Sequence, residues 1–268
     1  MKFNFKKKFG QNFITDKNLL KSICLDADIH ATDEVLEIGA GMGALTSALC
    51  QKAKKVVAYE IDQELKPHLQ TLEPQNLVLH FEDALKKPLA QIESDFEGCY
   101  KLVANLPYYI TTPLIFKFLQ SALVASITIM VQKEVGERIV AQFGGKDYGA
   151  LSVCCQYFGK PKIMRKVPKS VFTPQPDVDS CIVRLDIEKR YDENAANFFQ
   201  VVRMCFKSRR KTLLNNLAEG LGVEKSALSG LGLDLNRRAE QLSPTQFEQL
   251  TLLLKDYLGQ DKIVPMLQ

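Results

Sequence analysis

The feature that most constrains this chain is an alternation of short apolar runs with helix-like stretches, in which each run closes on glycine, an acid or asparagine. Glu34-Val35-Leu36-Glu37-Ile38 reads as a strand ending in Gly39-Ala40-Gly41-Met42-Gly43, and residues 44–52 read as the helix that follows. Residues 55–60 form a second strand and 63–72 a second helix. Residues 77–81 form a third strand, which closes at Glu82-Asp83-Ala84. Residues 100–104 form a fourth, closing at Asn105-Leu106-Pro107-Tyr108, and residues 126–131 a fifth. Strands alternating with helices predict a mainly parallel, doubly wound α/β sheet. Ligands of such a sheet lie in the crevice beyond the carboxyl ends of its strands. The chain's distinctive residues all fall at that edge.

The flanks are less regular. Asp16 or Thr15 can cap a helix over residues 16–25. Residues 151–158 and 181–185 read as the last two strands, an antiparallel edge pair, with Pro168, Pro174 and Pro176 excluding a helix between them. From Asn194 onward the pattern is helical. The expected organisation is a ligand-binding domain over residues 1–190 and a smaller all-helical domain over 191–268.

Composition excludes several classes. No apolar run reaches the roughly 18 residues of a membrane span, and the basic start, Lys6-Lys7-Lys8, lacks the apolar core of a secretory signal. Seven scattered cysteines without a Cys-x-x-Cys pair, and three isolated histidines, predict free thiols in a reducing cytoplasm and no metal site. The net charge of +4 is modest, but basic residues crowd residues 6–8, 160–169 and 203–211. Such clusters suit phosphate neutralisation, and equally suit solvated faces.

The strand ends carry the chemistry. Gly39-x-Gly41-x-Gly43 allows a sharp turn and close approach of a ligand, but its third glycine comes one residue too early for the dinucleotide pattern Gly-x-Gly-x-x-Gly. Glu37 before the loop would repel a pyrophosphate and suits a ligand bearing an ammonium and a sulfonium, which points to S-adenosylmethionine. Glu60, about 20 residues beyond the loop, can accept from ribose hydroxyls. Asp83 can accept from an adenine amino group, and Ala84 leaves room for the ring. Asn105-Leu106-Pro107-Tyr108 is the most specific element. An aromatic amine is a poor nucleophile because its lone pair is delocalised. The Asn105 amide oxygen and the Leu106 carbonyl can accept from its N–H groups and direct that lone pair toward a methyl donor. Pro107 removes a donor, and Tyr108 offers a face for an extruded base.

With these motifs assembled, the chain resembles the rRNA adenine N6-dimethyltransferases over nearly its whole length. The resemblance rests on Phe9-Gly10-Gln11-Asn12-Phe13-Ile14, the Glu37–Gly43 loop, Tyr59-Glu60-Ile61-Asp62, Asp83-Ala84 and Asn105-Leu106-Pro107-Tyr108. Val171-Phe172-Thr173-Pro174-Gln175-Pro176-Asp177-Val178-Asp179-Ser180 is similar to the family throughout. Leu106, the stretch Thr111–Phe116, Gln132–Val135, Tyr148–Val153 and Arg209-Arg210-Lys211-Thr212-Leu213 are similar to the housekeeping small-subunit group, whose loss gives kasugamycin resistance, rather than to the macrolide-resistance group that acts on 23S rRNA. Two departures stand out: Ile14 where leucine is common, and Tyr109 where asparagine is common.

The resemblance implies a Rossmann-like seven-stranded methyltransferase sheet with a helical C-terminal domain for rRNA recognition. It implies S-adenosylmethionine as cofactor, with Asn12, Ile14, Glu37, Gly39, Gly41, Glu60, Ile61, Asp83, Ala84 and Asn105 around it. Asn105, Leu106, Pro107 and Tyr108 then form the catalytic motif, and Lys207, Arg209, Arg210 and Lys211 are expected to meet RNA. The implied reaction is dimethylation of two adjacent adenosines near the 3′ end of 16S rRNA in a small-subunit precursor, by a cytoplasmic monomer. The competing readings are a 23S rRNA methyltransferase, a non-catalytic assembly factor, and a nicotinamide-dependent oxidoreductase on the same sheet.

Overall fold

The computed structural model describes residues 12–72 and 74–258. Lys6, Lys7 and Lys8, with Phe9, Gly10 and Gln11 of the first family motif, lie outside the described residues. Two compact units divide the chain: residues up to Gly136 with Pro161–Ile187, and Glu137–Lys160 with the residues from Glu188 onward.

The first unit holds the sheet. After the short strand β1 (Phe13–Ile14) comes helix α1 (Lys17–Asp26), capped by Asp16, whose carboxylate accepts from the Asn18 and Leu19 N–H groups. There follow β2 (Glu34–Ile38), α2 (Ala44–Cys50), β3 (Lys55–Tyr59), α3 (Lys66–Leu69) and β4 (Leu77–His80). Then come α4 (Leu89–Glu93), β5 (Tyr100–Asn105), α5 (Thr111–Phe118) and β6 (Val124–Gln132). Helix α6 (Lys133–Val140) carries the division between units, and α7 (Ala150–Phe158) belongs to the second. The chain returns through β7 (Lys162–Val167), β8 (Phe172–Thr173) and β9 (Ser180–Asp186).

Seven strands pair in the order β4-β3-β2-β5-β6-β9-β7, and β1 pairs separately with β8. The first five are parallel; β9 runs antiparallel to β6, and β7 antiparallel to β9. The strand order reverses between β2 and β5, so the binding crevice lies beyond their carboxyl ends. All five residues of β2 are buried, as expected of a strand covered on both faces. One of its two acids is paired: Glu34 accepts from Lys54 Nζ at 3.2 Å and from the Glu97 N–H at 2.9 Å.

Residues 151–158, expected as a strand, are the helix α7. A short continuous apolar run does not distinguish a buried strand from a buried helix. Here a capping bond decides, with Ser152 Oγ accepting from the Gly149 N–H at 3.1 Å. The strand that pairs with β9 is instead β7, within the run first noted for its charge. Lys162, Met164 and Lys166 face solvent on this edge strand, while Arg165 is paired to Asp26, with Nη2 at 2.8 Å from the carboxylate. Charge on an edge discourages pairing with other chains, so the solvated pattern masked the strand. The expected second helix shortens to one 3₁₀ turn (Gln63–Leu65) followed by α3.

The second unit is helical, with α8 (Glu193–Phe206), α9 (Leu213–Leu221) and α10 (Pro244–Leu253) beside α7. Tyr157 stacks on Phe198 with centroids 3.8 Å apart, and Phe206 stacks on Phe247. The buried Asn216 amide donates to the Cys205 and Ser208 carbonyls, joining α8 to α9. No disulfide joins the seven cysteines, and burial pushes the Cys24 and Cys50 thiols up to about 11, which makes them poor nucleophiles. Among the described residues no helix is long and apolar enough to cross a membrane.

Candidate active site

The turn after β2 is built to bring backbone close to a ligand. The Gly39 and Ala40 N–H groups donate to the Tyr59 carbonyl, which ties the loop to the end of β3. Gly41 has φ +56°, and a Cβ there would come 2.9 Å from the Phe13 ring, so only glycine fits without displacing that ring. The Gly41 N–H donates to Glu60 Oε2 at 2.8 Å, and the Asp62 N–H donates to Glu60 Oε1 at 2.7 Å. Burial raises the Glu60 pKa above the ordinary carboxylate range, opposed by these backbone donors and reinforced by the Asp62 carboxylate.

Asp83 is held by its own turn, with Oδ1 accepting from the Leu85 N–H at 2.9 Å. Beyond β5, Asn105 Nδ2 donates to the Asn12 carbonyl at 3.1 Å. That bond takes one of the two amide N–H donors and orients the side chain, whose oxygen is its acceptor for a ligand. The Leu106 side chain is buried, so this residue can serve a ligand through its backbone alone. Pro107 leads into a single 3₁₀ turn, Tyr108–Ile110, from which α5 continues. The Tyr108 hydroxyl lies 2.9 Å from Ser180 Oγ, which pins the ring. Burial raises the Tyr108 pKa, the Ser180 contact opposes this, and the Asp179 carboxylate adds to it.

These groups converge on one cleft. Asn12, Ile14, Gly39, Gly41, Glu60, Ile61, Asp83, Ala84, Asn105, Leu106, Pro107 and Tyr108 all line it. Glu37 does not. It is fully buried, packed beside the Thr46 hydroxyl of α2. Burial pushes the Glu37 carboxyl up to about 8; the Thr46 hydroxyl alongside opposes that rise and the Glu60 carboxylate reinforces it. At neutral pH this acid is mostly neutral, so the direct charge contact expected of it is not what its position offers. Sequence reasoning gave no role to two aromatic walls of the cleft, Phe13 and Phe172, and Tyr109, noted there as a departure from the family, lines it as well. Phe13 and Phe172 come together only because β1 pairs with β8, a contact without a local signal.

The lining decides between ligand classes. Glu60, Glu82 and Asp83 line the cleft, and no lysine, arginine or histidine does so among the described residues. The acids favour a cationic ligand over a pyrophosphate, which would have only backbone N–H groups of the glycine loop to offset them. A cationic sulfonium nucleoside could offer positive charge to these acids, and Glu60, Ile61 and Ala84 are placed where they could meet its ribose and base.

The family description "Ribosomal RNA adenine dimethylase" matches residues 2–256. The chain belongs to this family. It is an S-adenosylmethionine-dependent rRNA adenine dimethyltransferase. It is 44% identical to "Ribosomal RNA small subunit methyltransferase A" of Bacillus licheniformis, with 96% of this chain and 93% of that protein covered. The crystal structure of a dimethyladenosine transferase from Plasmodium falciparum is similar, at 28% identity and TM-score 0.75, covering 91% of this chain and 98% of that one. The 23S rRNA methyltransferase ErmE shares the fold, at 23% identity and TM-score 0.66, covering 91% of this chain and all of that one.

In the enzyme's second unit, two of the four basic residues expected to meet RNA are paired to one acid. Lys207 and Lys211 each lie 2.7 Å from a different oxygen of Glu219. Their hydrogen bonds hold the Glu219 carboxyl down to about 2. Arg209 donates to the Lys146 and Tyr148 carbonyls at 2.9 and 3.3 Å, bracing the loop before α7. Arg210 is exposed.

Proposed function

We propose that the enzyme dimethylates N6 of two adjacent adenosines near the 3′ end of 16S rRNA, within a small-subunit precursor. The observation that carries this reading is the Asn105 amide, turned by its bond to the Asn12 carbonyl so that its oxygen remains to accept. S-adenosylmethionine supplies a methyl group on a cationic sulfur. The chain's own residues orient the acceptor. Asn105 Oδ1 and the Leu106 carbonyl accept the two N6–H groups, and the Tyr108 face stacks on the extruded base. As those bonds tighten, the nitrogen lone pair leaves conjugation with the ring, and the developing positive charge meets two acceptors. In the second transfer only one N6–H remains, so one acceptor suffices. The methylated amine loses its proton readily, and no shifted general base is required.

The small-subunit assignment draws on the name of the Bacillus licheniformis relative and on the motifs similar to the housekeeping group. For RNA we propose that Arg210, with Lys207 and Lys211 fanned by Glu219, meets phosphates, while Arg209 supports the loop beside them. Arg210→Glu should weaken RNA binding across sequences and lower the salt slope by about 1; an unchanged slope in a filter-binding titration would remove Arg210 from the interface. We propose a cytoplasmic monomer, a setting that fits seven unbridged cysteines.

The test is transfer of labelled methyl groups to immature small subunits and, separately, to large-subunit rRNA, followed by nucleoside analysis. Dimethyladenosine in the small-subunit RNA alone is expected. Label in the large-subunit RNA would place the enzyme with the 23S methyltransferases, and label in neither would make it a binding factor.

A further inference from the structure

Lys117 sits in the last turn of α5, the helix that grows directly out of the Asn105–Tyr108 motif. Its Nζ donates to the Ala84 carbonyl at 2.6 Å, to the Leu85 carbonyl at 3.1 Å and to the Lys87 carbonyl. An ammonium has three N–H donors, and here three carbonyls of one loop face it. That loop has no regular structure of its own between β4 and α4; the Leu85 N–H returns to the Asp83 carboxylate and the Lys86 and Lys87 N–H groups to the Asp83 carbonyl. Lys117 is half-buried, and burial lowers its pKa against the pull of Asp83. A solvated surface lysine would choose a carboxylate or water. This one is committed to backbone.

We propose that Lys117 is a positioning residue for the cofactor's adenine. It locks the Asp83–Ala84 loop onto the helix that begins at the target motif, so that adenine subsite and amine-orienting groups are set by one piece of structure. The inference rests on the reading of Asp83 and Ala84 as the adenine subsite. Lys117 touches neither reacting atom; it acts through the loop, and its removal acts on cofactor affinity rather than on the chemical step.

The experiment is calorimetric titration of S-adenosylhomocysteine into the native enzyme, Lys117→Met, Asp83→Ala and the double variant, with steady-state methyl transfer on the same preparations. Lys117→Met should weaken binding about tenfold, as expected when charge-assisted hydrogen bonds to one element are lost. KM for S-adenosylmethionine should rise in parallel, while kcat and KM for RNA hold. The double variant should bind no more weakly than the weaker single variant, because both act on one loop. If Lys117→Met does not fold, Lys117→Gln, which keeps an amide donor, is read in the same way. Native affinity in the Lys117 variant, beside weakened binding in Asp83→Ala, overturns the proposal and leaves the adenine subsite standing. Native affinity in Asp83→Ala removes that subsite itself. A fall in kcat alone, or losses that multiply in the double variant, means that Lys117 does not act through this loop.

Discussion

On the side of the cleft proposed to hold the cofactor, the carboxylates are held by backbone N–H groups at short or moderate separation: Glu60 by Asp62, two residues away, and by Gly41, 19 residues away on the neighbouring strand's turn, and Asp83 by Leu85, two residues away. On the target side, the groups that act are held from far away. Asn105 is fixed by the Asn12 carbonyl, 93 residues distant, and Tyr108 by the Ser180 hydroxyl, 72 residues distant. The first arrangement is set once neighbouring strands β2 and β3 have paired and the turn after β4 has formed. The second exists only after β1, β8 and β9 have come into place around β5. The difference separates two tasks: holding a soluble small molecule, and presenting acceptors to a base drawn from RNA. It predicts that substitutions on the two sides move different quantities.

The largest effect is expected at Asn105. Asn105→Ala should lower kcat about 10²–10³-fold, the range for removal of one pre-organised polar group at a reacting centre. Its affinity for S-adenosylhomocysteine should stay largely intact; single-turnover transfer beside calorimetry reads both. Next is Glu60→Gln, which replaces a carboxylate that accepts two backbone N–H groups. It should weaken the same ligand roughly 10–100-fold, the range for hydrogen bonds to a charged group, and leave kcat at saturating cofactor little changed. A fall in kcat as large as the fall in affinity would break the separation.

Ser180→Ala is smaller and sharpens the contrast. It removes the Tyr108 hydroxyl's partner without touching the cleft's carboxylates. The expected loss is about 0.5–1.5 kcal/mol in kcat/KM for RNA, with cofactor affinity unchanged. Weaker cofactor binding in this variant would show that the two sides are not independent.

Glu37→Gln should have the smallest effect on turnover and a readable one on stability. The folded-state pKa of about 8 lies above the ordinary glutamate value of 4.5, so the folded protein holds this proton more tightly than the unfolded chain. Native stability from this group is therefore complete below about pH 4.5 and lost as pH rises toward about 8. The melting temperature of Glu37→Gln relative to the native enzyme should rise across that window and level off above it. A constant difference between pH 5 and pH 9, measured at about 0.5-unit steps, would mean that Glu37 is ionised throughout.

What could be read from sequence follows the same division. The cap at Asp16 and the strands β2, β3, β4 and β5 came from local periodicity, and so did the turns that carry Glu60, Asp83 and Asn105. The burial of Glu37 behind the cleft lining was not legible, because period alone does not say whether an acid near a strand end faces the crevice or the packed helix face. Its partner in burial is Thr46 of α2, and that packing is tertiary. Helix α7 and strand β7 were missed for opposite reasons: one is mostly apolar, and the other hides a strand under lysines. Phe172 had a marker in its proline-rich stretch, but its place in the cleft depends on the pairing of β8 with β1. The two lysines on Glu219 show that a basic cluster read from sequence says nothing of how much of its charge is already paired.

If the proposed cofactor and target sides of this cleft act independently, the double variant Asn105→Ala/Glu60→Gln combines the two single losses without coupling. Titration with S-adenosylhomocysteine and single-turnover methyl transfer are measured on that one preparation. Affinity equal to that of Glu60→Gln alone, with a transfer rate equal to that of Asn105→Ala alone, is the predicted result. Affinity well below that of Glu60→Gln would contradict it, because Asn105 would then be holding the cofactor rather than the adenosine amine.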